Sequence, residues 1–206
     1  MKKIISILLV VLLLIGCGSK TATPEATVSG FMDATKAFNF VKMIDYVHVD
    51  SEKSDELVDE LEESFDTDEM ELELFNYFKD NAKKIEYSID NIVEDDDRAT
   101  VSVTADYVDG SVLMGAVFEE YMGKIFELAF SGKEPSEEEI SELLGTIMNE
   151  KIKEIEVEFI TSTFEVELIK VNHKWLIDDV SNDLLNVMMS NFMVIIDGLE
   201  DLDDWE

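Results

Sequence analysis

The chain has 206 residues, 46% hydrophobic and 9% aromatic, enough for one domain with a true core and too apolar for wholesale disorder. Its 48 Asp and Glu against 16 Lys and Arg give a formal charge of −32, which repels phosphate backbones and argues against nucleic acid as a partner. A single cysteine rules out an intramolecular disulfide, and with only 2 histidines beside it a Cys/His zinc site is hard to assemble.

Lys2 and Lys3 form a short basic head, followed by Ile4 to Ile15, apolar except for Ser6. That run is shorter than the roughly 20 residues a spanning helix needs and suits the apolar region of a secretory signal. Leu14-Ile15-Gly16-Cys17 resembles a bacterial lipobox. The resemblance implies that residues 1–16 are removed and that Cys17 becomes the new N-terminus, lipidated with a diacylglyceryl group whose acyl chains are of the palmitate kind. Two acyl chains give stable anchoring where one is marginal. Gly18 to Thr23 then form a polar tether reaching at most about 20 Å. The expected place is the outer face of the cell membrane, with the membrane as a partner through the lipid on Cys17 alone, since the surface charge opposes lying on anionic lipid.

Thr23-Pro24-Glu25 reads as a helix start, with an N-cap, proline at the first position and an acid in the first turn. Val28, Phe31, Met32, Thr35 and Phe38 follow at helical spacing, and a second short helix is expected over Phe40 to Val47. The acidic stretch from Glu52 to Glu73 keeps a helical period through Leu57, Val58, Leu61 and Phe65, and Asp68 with Glu71 reads as a capping box for the next helix. From Ile85 the period is two: Ile85, Tyr87 and Ile89, a break at Glu94 to Asp97, then Ala99, Val101, Val103, Ala105 and Tyr107, which is a hairpin with one apolar face.

Helical spacing returns from Gly110 through Val117, Tyr121, Ile125 and Leu128, and Ser136 with Glu139 makes a capping box before Ile140, Leu143, Leu144 and Ile147. A helical hairpin is thus expected over 110–151, inserted between strands. Ile155, Val157 and Phe159 lie on odd positions but Phe164, Val166 and Leu168 on even ones, so one long strand with a β-bulge near Ile160 to Thr163 is expected. Asn172-His173 reads as a tight turn before Trp175 and Ile177, and Ser181-Asn182-Asp183 as the start of a last helix reaching Leu199. An acidic tail, 201–206, closes the chain.

The order describes an α+β fold, a single domain over 24–200 in which N-terminal helices cover a curved antiparallel sheet. Pro24-x-x-x-Val28-x-x-Phe31-x-x-Ala34-x-x-x-Phe38 is similar to the opening helix of the nuclear transport factor-like (cystatin-like) domains of unknown function common in Gram-positive lipoproteins. Ile85-x-Tyr87-x-Ile89 with Ala99-x-Val101-x-Val103 resembles that family's first hairpin, and Leu168-x-Lys170-x-x-x-Lys174-Trp175-x-Ile177 its closing strands. The resemblance implies a cone-like pocket between sheet and helices; members of the wider superfamily include isomerases and dehydratases that work inside it.

Asp45, Tyr46 and His48 are the local cluster of mixed titratable type, and on a helix Asp45 and His48 would share a face. They are the candidate pocket or acid–base pair, against the plainer reading of a solvated helix end with a dipole-favoured histidine. No nucleophile elbow, triad pattern or glycine-rich phosphate loop occurs, and neither Asp95-Asp96-Asp97 nor the acids of the tail have calcium-loop spacing. No metal and no cofactor are therefore implied. The methionines Met114, Met122, Met148, Met188, Met189 and Met193 suit core filling or an adaptable apolar surface. Three functions follow in order: a non-catalytic module for a small apolar ligand or a peptide, an interaction domain for a basic envelope protein using the acidic helix over 52–63 and the last helix, and a pocket-type isomerase or hydrolase.

Overall fold

The computed structural model describes residues 23–49, 69–132 and 135–195. The expected acidic helix over 52–63, the Asp68 cap, Cys17 with its flanks and the acidic tail lie outside the described residues. Within them the chain is a mixed α+β fold: α1 (Pro24–Lys36), α2 (Phe40–Ile44), α3 (Glu69–Ala82), β1 (Glu86–Asp95), β2 (Arg98–Val108), α4 (Ser111–Phe130), α5 (Glu137–Glu154), β3 (Phe159–Val171), β4 (Lys174–Ile177) and α6 (Asn182–Met188). The four strands form one open antiparallel sheet in the order β1-β2-β3-β4.

The Thr23 hydroxyl accepts from the Ala26 N–H at 3.1 Å, which with Pro24 fixes the start of α1. One stripe of α1, Val28, Phe31, Met32 and Ala34, is buried. Alternation along β2 turns Ala99, Val101, Val103, Ala105 and Tyr107 inward, where they meet Phe164, Val166 and Leu168 of β3 and Trp175 and Ile177 of β4. Leu184 and Val187 of α6 complete this main core. The alternate residues line the other face, where the Thr104 hydroxyl donates to Asp90 at 2.6 Å and shares a 2.8 Å hydrogen bond with Thr163. The hairpin between β1 and β2 turns at Asp96 and Asp97 alone, later than the expected break, so Glu94 and Asp95 belong to the strand. A register shift between Ile89 and Asn91 leaves Asp90 as an extra residue and returns Ile92 to the side of Val101.

Three expectations need correction. β3 pairs with β2 without any register shift from Phe159 to Ile169, so there is no bulge near Ile160 to Thr163. The parity change arises because Ile155 belongs to the end of α5 and Val157 and Phe159 are exposed. The second helix ends at Ile44 instead of Val47, since Val47 leaves it to bridge Ile177 and the His48 N–H donates to the Ile177 carbonyl at 2.8 Å. The expected last helix is interrupted after Met188, because Ser190 and Asn191 take left-handed φ values of 51° and 62°, and helical structure returns at residues 193–195. The Asn172-His173 turn is as expected: both have positive φ, the geometry that matches strand twist in a two-residue hairpin.

A second, smaller core joins α3, α4 and α5: Leu113, Val117, Ile147 and Met148 are buried with Leu74, Tyr77, Tyr121, Leu143 and Leu144 around them. The capping box predicted at α5 is formed, with Ser136 accepting from the Glu139 N–H and Glu139 accepting from the Ser136 N–H at 2.8 Å. α4 and α5 are tied by Lys151, whose ammonium lies 2.7 Å from Glu120 and 3.0 Å from Glu154; the two carboxylates hold its pKa above the ordinary lysine range.

Gly30 is where α1 meets the segment after α2. A Cβ there would overlap the ring of Tyr46, itself buried. Gly30→Ala is expected to cost about 1–2 kcal/mol by overpacking, read as a lower urea midpoint, and Tyr46→Leu in the same chain should recover part of it. Equal stability of Gly30→Ala and the parent chain would contradict this contact.

Candidate functional site

The cleft with the most chemistry lies beside the second core. It encloses about 350 Å³ between the last turns of α3, the start of α4 and the segment joining α5 to β3. Helical spacing brings Glu73, Tyr77, Asp80, Asn81 and Lys84 to one side. Leu113, Ile152, Ile155 and Val157 supply the apolar surface, and Asp109, Glu156 and Glu158 the opposite polar rim. Five carboxylates thus face one ammonium, and the cleft carries the sign of the whole chain.

Asp109 is placed by the turn that ends β2. Its Oδ1 accepts from the Ser111 hydroxyl at 2.6 Å, the Asn191 amide at 2.9 Å and the Ser111 N–H at 3.1 Å. Partial burial works against ionisation, but these donors outweigh it and the pKa lies below the ordinary value. The left-handed Ser190-Asn191 pair that stops α6 thereby becomes a brace for the cleft: the Gly110 N–H donates to the Ser190 carbonyl at 2.7 Å.

Asn81 is 3% exposed. Its Oδ1 accepts from the Lys84 ammonium at 3.0 Å, which fixes the amide's orientation, while its Nδ2 has no aligned acceptor. Tyr77 stands beside that amide, and its hydroxyl is kept protonated above the ordinary phenol range, first by burial and further by the Asp109 charge, against the opposing pull of Asn81. The Asn81 Nδ2 is closed off from solvent, so what the cleft offers a ligand is its rim of five carboxylates and one ammonium over an apolar floor.

Asp45 and His48 lie elsewhere, both exposed and neither lining this cleft. With α2 ended at Ile44, they do not share a helix face. Asp45 offers its backbone carbonyl to the Lys174 ammonium at 2.9 Å. His48 Nδ1 stands 3.6 Å from Asp178, whose other oxygen is 3.3 Å from Arg98. Among the described residues no group of three or more His, Cys, Asp or Glu side chains is arranged to hold a metal ion, and no helix is long and apolar enough to cross a membrane. The cleft residues are hard to see in the sequence because they come from three separated segments and match no motif. One signal was the polar patch Asn76, Tyr77, Asp80 and Asn81 at helical spacing on an otherwise amphipathic helix.

No known protein family matches the chain, and no curated protein matches it in sequence. Among solved structures it is similar to a presumed lipoprotein of Bacillus subtilis, YcdA, at 18% identity and a TM-score of 0.43. That match covers 81% of this chain, which spans 58% of the Bacillus protein's length.

Proposed function

We propose that the chain is a lipid-anchored surface protein, held by Cys17 on the outer face of the membrane, whose cleft binds a basic, partly apolar ligand such as a short peptide segment. The lipobox-like run before Cys17 supports the anchor. The observation that carries the binding reading is the lining of the cleft, five carboxylates and one ammonium around an apolar floor. Leu113, Ile152 and Ile155 would take the apolar part of the ligand, and Glu73, Asp80, Asp109, Glu156 and Glu158 its positive charge. A purely apolar ligand would leave these carboxylates desolvated without compensation, so the expected small apolar ligand gives way to a cationic one. Binding is favoured over catalysis because Asp109 is occupied by three donors and Tyr77 is held protonated.

Calorimetric titration with a short Lys/Leu peptide and its Glu/Leu counterpart tests this. Only the basic peptide should bind, and Glu156→Gln with Glu158→Gln, which removes two rim charges, should weaken it about tenfold. Glu165→Gln with Glu167→Gln, on the far face of the sheet, should leave affinity unchanged. If the distant pair weakens binding as much as the Glu156/Glu158 pair, the attraction belongs to the whole surface and the cleft reading fails.

A further inference from the structure

α4 is apolar on two sides. Leu113 and Val117 face the second core and are buried. The opposite face carries Phe118 and Phe126, which are 53% and 56% exposed, with Met122 between them and Phe130, 91% exposed, at its end. Positions 118, 122 and 126 repeat every four residues, so the side chains form one ridge along the helix. Gly115 and Gly123 flank the ridge with open space where a side chain would be. In a chain with 48 acidic residues, this face presents only Glu119. A helix apolar all round is either buried or partnered, and nothing among the described residues covers this side.

We infer that this face of α4 is the contact between two copies of the chain, paired antiparallel across a two-fold axis at Met122. A two-fold contact requires a surface complementary to itself, and the positions four and seven residues from Met122 on this face are matched pairs. Phe118 and Phe126 stand four residues to either side, and the small residues Gly115 and Ala129 seven to either side. Antiparallel pairing sets Phe118 of one copy against Phe126 of the other, while the small residues let the helices approach closely. The area is sufficient. At their exposures the three phenylalanines leave about 400 Å² uncovered per copy. Val112, Met122 and Ile125 bring two copies to roughly 1,000 Å², the lower edge of specific interfaces. The contact therefore has the strength of a reversible dimer, favoured where copies are concentrated.

The membrane is the less suitable occupant. The chain's charge of −32 opposes laying this face on anionic lipid, and the ridge of Phe118, Met122, Phe126 and Phe130 carries none of the lysines or arginines that an interfacial helix uses to hold headgroups.

The test is a cysteine on the axis. In the full-length anchored chain in vesicles, Met122→Cys should form a disulfide-linked dimer on mild oxidation, because residues on the axis of a close helix pair fall within the 4.4–6.8 Å Cα range of a disulfide. Glu150→Cys, exposed on α5, should stay monomeric. Adding Phe126→Asp, a surface change that leaves circular dichroism unaltered, should cut crosslinking at least tenfold. The inference is overturned if Met122→Cys crosslinks no more than Glu150→Cys, or if Phe126→Asp leaves the yield unchanged. A Met122→Cys that does not crosslink, but whose thiol the vesicle shields from a water-soluble maleimide until Phe126→Asp is added, would overturn the inference and assign the face to lipid.

Discussion

Trp175→Ala is expected to lower the unfolding free energy by about 3–5 kcal/mol, the transfer and cavity cost of deleting a large buried aromatic. The side chain is 2% exposed and belongs to the main core. It sits on β4, a strand of four residues with too few ladder hydrogen bonds to stand without it. Removing it also exposes the Thr27–Trp175 tie between α1 and the sheet and strips the Lys170 ammonium of the ring 4.8 Å away. Urea unfolding followed by far-ultraviolet circular dichroism measures the loss, and Trp175→Phe should recover more than half of it. A loss below about 1 kcal/mol would mean that β4 is not fastened through this residue.

Asp109→Ala should cost about 2–4 kcal/mol at neutral pH, because it orphans the Ser111 hydroxyl and N–H and the Asn191 amide together. The effect carries a pH signature. Asp109 has a folded-state pKa below its ordinary value of 3.8. Its ionised form therefore stabilises the fold above that value, and the stabilisation disappears as pH falls through the folded-state pKa. The gap between parent and Asp109→Ala should be full near pH 6 and narrow steadily below about pH 4. A gap that stays constant down to about pH 2 would show that Asp109 acts by shape alone. The same variant should lower peptide affinity in the cleft, since it loosens the Asn191 brace and removes one rim charge.

What the sequence disclosed and what it concealed divide by range. Thr23, Ser136 with Glu139, and Asn172-His173 act within three residues of themselves, and each formed the cap or turn its chemistry dictates. The inward faces of β1 and β2 were equally legible, because alternation leaves one solution once a core exists. The failures came where tertiary bonds override local period. His48 was read on a helix that Val47 had already left for β4, and the last helix was read through a Ser190-Asn191 turn held by Gly110 and Asp109 from 80 residues upstream. Ile155, Val157 and Phe159 looked like one strand face, yet one caps a helix and two meet solvent. The cleft was the least legible part, since its lining comes together only once α3 is laid beside Asp109 and the 155–158 segment.

The two edges of the sheet have unlike fates. The short β4 edge is taken up by the chain itself, with Ile177 donating to the Tyr46 carbonyl and accepting from His48. The β1 edge, ten residues long, has no neighbour among the described residues, and unpaired strand edges recruit foreign strands. β1 counters this in two ways: Glu86, Asp90, Glu94 and Asp95 put negative charge along it, and the extra residue at Asp90 breaks the even spacing that an incoming strand would need. Neutralising those four acids should therefore leave the folded chain nearly as stable but convert it into a fibre-forming protein, so part of the chain's acidity protects it from its own copies.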